Sequence, residues 1–371
     1  MRFKWLYRAK FGRLSVLLCA KYTASGLAMR FAVSSFSNAL FHYAHILFDC
    51  ANTFFDYTMT HIFRANGKLL LSGEYFVLEG AAALALPTKL GQTLEVEEVA
   101  AAFPNFTPVL HWHSLDHEHQ TWFEATFALP TLDIMQQTNE ATANRLQKLL
   151  RTATQLNPAF LSPTIGYRVT TRLEFPRAWG LGTSSTISHL IAQWSHTDPY
   201  ALNASTFGGS GYDIACAAAT QPIIYQLREG HPHVEITTFR PSFRNNLYFV
   251  HLGKKKDSRE AIKHFRELPE FERMIAAPQV SAFTMLMKNA PSLRSFQSVV
   301  EEHERLVSRT LRIPRAQILH FPDYWGSIKS LGAWGGDFVL ATSDRSTERT
   351  RYYFTSRGFD TVLGFTDLFA F

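Results

Sequence analysis

The sequence predicts an α+β protein: two mixed domains, over residues 59–243 and 244–371, behind an N-terminal extension of residues 1–58. Three observations lead there. The 371 residues exceed one typical hydrophobic core. From His61 onward, strand-like and helix-period segments interleave, so neither type is segregated. Turn formers then cluster over 240–247 (RPSFRNN and the next residue) and divide the patterned chain.

The first 58 residues read apart from the rest. Seven Lys and Arg stand there against Asp49 and Asp56, which places +5 of the net charge of +6 in this segment. The remainder is nearly neutral, which argues against a nucleic-acid groove on the main body. Leu14–Ala20 follows a basic start as a signal core would, but it is short and Lys21 ends it. No run reaches the about 20 uninterrupted apolar residues of a membrane span. We expect an extension that is disordered or translated from a start upstream of Met59, with no stable membrane insertion. The three cysteines, Cys19, Cys50 and Cys216, form no C-x-x-C. Neither a disulfide framework nor a thiolate zinc site is expected, and the reading is a cytoplasmic protein.

Beyond Met59, apolar runs at 69–71 and 81–86 flank a Gly-containing bend. Residues 92–99 alternate as a strand, and 108–129 as a hairpin turning near Ser114–His117. The hairpin carries His111, His113, His117 and His119. Strand geometry permits a metal site there, but a polar hairpin tip accounts for them equally. Residues 136–156 read as a helix, with Leu146, Leu149 and Leu150 on one face. Residues 165–175 form a strand that enters the stretch FPRAWGLGTSSTISHLIAQW, whose helix starts near Thr183. A second Gly turn and helix occupy 208–219, then strands 222–227 and 233–239. In the second half, 247–253 is a strand. Asp257 caps a helix with Glu260 three residues on, and 271–288 and 291–310 are amphipathic. The terminal 327–365 reads as strand, helix and strand.

Three glycine turns could carry chemistry. Gly180 and Gly182 permit a tight turn and close approach of a ligand. Thr183, Ser184 and Ser185 then fall in a first helical turn, where unpaired N–H groups and the positive dipole end favour an anion. Ordinary capping explains the same residues. Lys68, after Gly67 and before an apolar strand, can reach a phosphate or lower an alcohol's pKa; a snorkelling strand-edge lysine is the alternative. Asp213, after Gly208, Gly209 and Gly211, can accept the proton of an attacking hydroxyl, or merely cap its helix. Gly332, Gly335 and Gly336 precede a buried strand, a third place for close backbone approach. No Walker P-loop or protein-kinase motif occurs.

In this order, NGKLLLSGEY, PRAWGLGTSS and GAWGGDFVL resemble the three motifs of the GHMP kinases, across roughly residues 62–371. GYDIA looks like one bacterial branch of that family, and GGSGYDIACAAATQPIIYQL is similar to its mevalonate-pathway members. The resemblance implies a ribosomal-S5-like, ATP-binding N-terminal domain over 59–243 and a ferredoxin-like C-terminal domain over 244–371. It implies γ-phosphoryl transfer from ATP, with Mg²⁺, to mevalonate or phosphomevalonate. Gly180, Leu181, Gly182, Thr183, Ser184 and Ser185 would bind nucleotide, and Ser184 the metal. Asp213 would be the base, assisted by Lys68. Glu74, Tyr75 and Gly211 would contact the acceptor, with Gly332, Gly335 and Gly336 as the third loop. The implied partners are ATP and a small molecule, with no nucleic acid, and a homodimer is a further expectation. The chain departs from the family pattern at Asn66 for Pro, Tyr75 for His, and Thr183, Ser185 and Thr186 for Ser, Ala and Ala. Trp334 replaces a Gly, which predicts a third loop held off the ligand. Leu202 stands where mevalonate kinase has a magnesium-binding Glu, with Asp198 as the acid nearby. These departures imply the alternative of a degenerate protein that binds nucleotide or metabolite without turnover.

Overall fold

A computed structural model describes residues 4–11, 14–23, 26–32, 60–100, 107–254, 258–332, 334 and 336–371. The chain divides into two units, 1–58 and 59–371. In the first, β1 (Lys4–Phe11), β2 (Leu14–Thr23) and β3 (Gly26–Ala32) pair as an antiparallel meander. The second unit holds all three glycine turns.

The first sheet of this second unit is built from β4 (Thr60–Ser72), β5 (Ala83–Ala100), β6 (Val109–Leu115), β7 (Thr121–Ala128), β8 (Ile134–Gln137), β9 (Ile165–Leu173), β10 (Ile223–Arg228) and β11 (His231–Ile236). The order is β11-β10-β5-β9-β6-β7-β8, with β4 also on β5, and only β6–β9 is parallel among the described pairs. The runs 81–86 and 92–99, read separately from sequence, are one strand. The register shifts between the pairs Asn66–Gly91 and Lys68–Pro87, where β5 bulges by setting residues 88–90 against Gly67 alone, and β5 continues through the irregularity. Gly67, the β4 residue opposite this bulge, immediately precedes Lys68.

Three helices pack on this sheet, α1 (Glu140–Leu156), α2 (Thr183–Ser195) and α4 (Tyr212–Ala218), and α3 (Pro199–Thr206) packs on those helices. α1 starts later than the expected 136. Its N-cap Asn139 accepts from Thr142 N at 3.0 Å, and Gln136 and Gln137 instead extend β8 along β7.

The sheet changes between Ile236 and Leu247. The second sheet comprises β12 (Leu247–His251), β13 (Ile328–Ser330), β14 (Phe338–Thr342) and β15 (Val362–Gly364), in the order β13-β14-β12-β15 and all antiparallel. α5 (Ser258–Glu267), α6 (Glu270–Lys288), α7 (Leu293–Leu311) and α8 (Ala316–His320) connect β12 to β13. α9 (Thr347–Thr355) connects β14 to β15, and α10 (Phe365–Leu368) closes the chain. Numbered by sequence, the strands lie 4-1-3-2, the split βαββαβ arrangement of ferredoxin-like domains. The terminal strand expected over 327–342 is two strands, because the third glycine loop reverses the chain between them. Asp257, expected as the cap of α5, lies outside the described residues.

The two sheets share one core. Leu69, Leu71 and Leu86 from β4 and β5 pack with Phe249, Phe296, Val300, Phe338 and Leu340 of the second half, and Leu181 lies in the same cluster. Burying Leu181 contributes about 2 kcal/mol and anchors the second glycine loop between the halves. Among the described residues, no helix is long and apolar enough to cross a membrane.

Candidate active site

The central loop is shaped by two left-handed glycines. Gly180 sits at φ 67° and Gly182, the N-cap of α2, at φ 96°, where an L-residue costs about 1–2 kcal/mol. Space is also closed to side chains. A Cβ on Gly180 would lie 2.4 Å from the Asp337 carboxylate carbon, and one on Gly182 would lie 2.9 Å from Lys68 Cγ. No described side chain caps α2, which leaves its first-turn N–H groups at the positive end of the helix dipole. Ser185 turns back, donating to Gly182 O at 2.8 Å, and Thr186 donates to Gln92 Oε1 at 2.6 Å. Thr183 and Ser184 instead line a cavity of about 160 Å³ with Trp112, Trp122, Arg145 and Arg177. The Arg177 guanidinium lies 3.7 Å from the Trp122 ring centre, within cation–π range.

β4 delivers Lys68 onto this loop. Its N–H donates to Leu181 O at 2.9 Å and its ammonium to Gly180 O at 3.1 Å. The ammonium also lies 5.8 Å from the Tyr212 ring centre. α4 supplies the facing acid. Its N-cap, Gly211, lies against Tyr200 and Tyr225, and the Tyr225 hydroxyl donates to Ser210 O. That leaves Tyr212 and Asp213 in the first turn of α4.

Burial pushes the Asp213 carboxyl above the usual range, and Lys68 opposes the shift. Burial pulls the Lys68 ammonium down, but Tyr212, Asp213 and Asp337 outweigh it and hold the lysine above its ordinary value. The two shifts are not those of an isolated ion pair, which would depress the acid. For Asp213 the cost of burial outweighs the field of Lys68.

The structure turns Glu74 and Tyr75 away from this opening. Glu74 is 1% exposed. Its Oε1 accepts from Lys329 Nζ on β13, and its Oε2 lies 3.6 Å from His303 Nε2 on α7. Lys329 Nζ is also 3.9 Å from Glu304 Oε1, which accepts from Ser330 N at 3.1 Å. Burial pushes both carboxyls up, Glu304 to about 8, and pulls His303 well down. Tyr75 accepts from Trp334 N at 3.0 Å through its hydroxyl. The Trp334 indole is packed inside a cluster with Tyr75, Phe76 and Phe265, so its bulk points into the core. The third loop therefore does approach: Gly332 and Asp337 border a small space with Lys68 and Gly180, and Gly336 is buried beside them. Gly335 lies outside the described residues.

The site thus gathers Lys68, Gly180–Ser185, Asp213, Gly332 and Asp337. Leu202, at the expected metal-acid position, is a core residue. Asp198 caps α3, accepting from Tyr200 N at 3.0 Å and Ala201 N at 3.3 Å. His111 and His113 bond Thr126 and Thr121 across the hairpin, and no group of three or more metal-ligating His, Cys, Asp or Glu occurs among the described residues. Sequence reasoning missed Asp337, although it directly follows Gly335–Gly336. It also missed the Lys329 quartet, whose signal is a lysine in a strand between Ile328 and Leu331 and a His-Glu pair on the inward stripe of α7.

No family model matches the chain. Mevalonate kinase of Schizosaccharomyces pombe is 30% identical over 139 residues, which is 34% of this chain and 34% of that protein. The chain therefore matches about a third of the length of this curated relative. Solved structures are similar over most of the chain. Mevalonate kinase of L. major, in complex with R-mevalonate, has a TM-score of 0.57 at 15% identity and covers 83% of this chain and 95% of its own. Galactokinase of Lactococcus lactis, complexed with galactose, has a TM-score of 0.61 at 12% identity, covering 87% and 97%. Phosphomevalonate kinase of Streptococcus pneumoniae, with phosphomevalonate and AMPPNP, has a TM-score of 0.60 at 15% identity, covering 82% and 99%. The fold of this chain is the one these proteins share.

Proposed function

We propose that this chain, which has the GHMP-kinase fold, is an ATP-dependent small-molecule kinase whose acceptor is mevalonate or phosphomevalonate. One observation carries the reading. Lys68 lies hydrogen-bonded to the Gly180 carbonyl beside an uncapped helix N-terminus, and a half-buried carboxylate, Asp213, faces it. A strand-edge lysine and two ordinary helix caps need no such convergence.

The chain's own groups divide the work. The bare first turn of α2 and the backbone of Gly180–Ser185 hold the phosphates. The aromatic and basic cavity beside Thr183 and Ser184 receives the nucleoside. Asp213 takes the proton of the acceptor hydroxyl, or orients the acceptor oxygen. Its raised pKa makes it a stronger base than an exposed aspartate. Lys68 stabilises the charge that develops on the transferring group. Gly211, by starting α4 against Tyr200 and Tyr225, sets the height of Asp213. Glu74 and Tyr75 act from behind, holding β4 and the third loop together.

Magnesium needs near-octahedral oxygen ligands, and typically takes one or two carboxylates with the substrate's phosphates. Ser184 offers a hydroxyl oxygen on a cavity wall that carries no Asp or Glu, while Asp213 and Asp337 surround Lys68, so the carboxylate share of that demand falls to those two side chains. Ser184 would help hold the ion, which supplies neutralisation of phosphate charge.

The test is ATP consumption over a panel of mevalonate, phosphomevalonate, homoserine and sugars, in the full chain and in Asp213→Asn. We expect turnover with one mevalonate-pathway acceptor. In the variant, kcat should fall by at least about a hundredfold with nucleotide binding retained. Near-normal turnover in the variant would reject the role of Asp213. ATP binding without turnover on any acceptor would assign the protein as a binder, the reading that Leu202 at the metal-acid position favours.

A further inference from the structure

The cavity beside Thr183 and Ser184 has a polar floor, at one end of the sheet face that α1 and α2 cover. Elsewhere that face is apolar, with Leu94 and Val96 on β5, Val169 on β9 and Leu110 on β6 in the core. At this end it carries Gln92, Thr171 and Ser114, which are 1% to 2% exposed, and all three line the cavity. Register brings them together. Thr171 pairs with Ser114 of β6 on one side and with Leu94 of β5 on the other, and Gln92 shares the face of Leu94 two residues away. Buried polar groups cost free energy unless they find partners, and here the protein leaves two donors over.

Thr171 donates to Ser114 Oγ at 3.1 Å, and Trp112 Nε1 donates to the same oxygen at 3.0 Å. Ser114 Oγ thus accepts twice and has its own proton to give. Gln92 Oε1 accepts from the Thr186 hydroxyl at 2.6 Å, closer than that hydroxyl's other acceptor, Thr183 O at 3.1 Å. A separation of 2.6 Å suits O–H···O and is short for N–H···O, so the amide is fixed with its oxygen on α2 and its NH2 group free. Among the described residues, neither that NH2 group nor the Ser114 proton has an acceptor.

The walls suit a flat ring. The Arg177 guanidinium lies 3.7 Å from the Trp122 ring centre, and Trp112 and Phe123 line the same space. Nucleobases are held by this combination, stacked on aromatic or guanidinium planes and hydrogen-bonded along an edge. The volume of about 160 Å³ is below the about 300–1,000 Å³ of sites that enclose a whole small molecule. It admits one ring system and leaves the phosphates to the glycine loop.

We propose that Gln92 and Ser114 read the base of the nucleotide, and that they read its acceptor atoms, so that a 6-keto purine is held at least as well as adenine. The inference rests on the nucleoside occupying this cavity, as proposed above. Two neighbouring donors match two neighbouring acceptors. A 6-keto purine offers O6 and N7 side by side, whereas adenine sets an amine beside N7. Selecting adenine with a glutamine takes both ends of the amide, its oxygen receiving the amine. Here Thr186 occupies that oxygen, and no Asp or Glu lines the cavity to replace it.

Titration calorimetry of the full chain with ATP, inosine triphosphate and inorganic tripolyphosphate, with no phosphate acceptor present, tests this. Inosine triphosphate should bind at least as tightly as ATP. In Gln92→Met both nucleotides should weaken by about tenfold or more, while tripolyphosphate, which has no base, binds unchanged. Ser114→Ala, a smaller change to the core, should weaken inosine triphosphate more than ATP. ATP binding tighter than inosine triphosphate by about tenfold or more overturns the proposal, as do nucleotide affinities unchanged in both variants. Tripolyphosphate binding as tightly as either nucleotide would take the base out of this cavity and overturn the inference while leaving the phosphate loop standing. Binding of none of the three would reject the nucleotide site itself, and the inference with it.

Discussion

Replacing Lys329 with Met keeps the length of the side chain and removes its charge. In the native protein the ammonium is fully buried, bonded to Glu74 Oε1 and 3.9 Å from Glu304 Oε1. Without it, two buried carboxyls face each other and a neutral His303 with no cation between them. Removing one partner of a buried pair costs about 3–5 kcal/mol when the other stays charged. The pH dependence identifies that cause. Burial has raised the folded-state pKa of Glu74 and of Glu304, the latter to about 8. Their folded forms bind more protons than the unfolded chain, so stability falls as pH rises from the ordinary carboxyl range toward 8. His303, lowered by burial and then by Lys329, acts oppositely and loses stability as pH falls below 6.5. Lys329→Met releases all three from the lysine, so the carboxyls stay neutral longer and His303 protonates more readily. The loss should be about 1–2 kcal/mol at about pH 5.5 and about 3–5 kcal/mol at about pH 8.5. Urea denaturation of both proteins at the two pH values measures it. Equal losses at both would mean that only packing was removed, and an unchanged midpoint on the alkaline side would refute the buried-charge argument.

The site itself yields two further outcomes. The elevated Asp213 pKa predicts that kcat/KM declines toward acid at a pH above that of an ordinary aspartate. Lys68→Met should move this limb higher still, since Lys68 is what opposes the rise; a limb that stays put in the pH–rate profile would remove Asp213 as the titrating base. Gly180→Ala must place a Cβ 2.4 Å from the Asp337 carboxylate at φ 67°. The loop should shift and nucleotide affinity fall at least about tenfold, about 1.4 kcal/mol, in a binding titration. Unaltered affinity would show that the loop does not hold the phosphates.

Much of the fold was legible because local pattern and tertiary outcome agree. The Gly-Leu-Gly-Thr-Ser-Ser turn predicted a helix start near Thr183, where α2 begins, since only glycine adopts those dihedrals cheaply and hydroxyl residues tolerate a first turn. The break near 240–247 marks where one sheet gives way to the other. Pattern failed where pairing partners decide. A bulge of β5 opposite Gly67 lets two apparent strands run as one, and a loop reversal splits one apparent strand into β13 and β14.

The sequence by itself determined which residues can do chemistry: Lys68, the glycine-hydroxyl turn and Asp213 stand out by residue type and neighbourhood. Tertiary structure alone decided who faces whom. It set Asp337 against Gly180, packed the Trp334 indole into the core rather than across the third loop, and turned Glu74 from an acceptor contact into the partner of Lys329. These pairs lie 157, 259 and 255 residues apart or join separate sheets, and burial acts on whatever the fold brings together, so no local pattern encodes them.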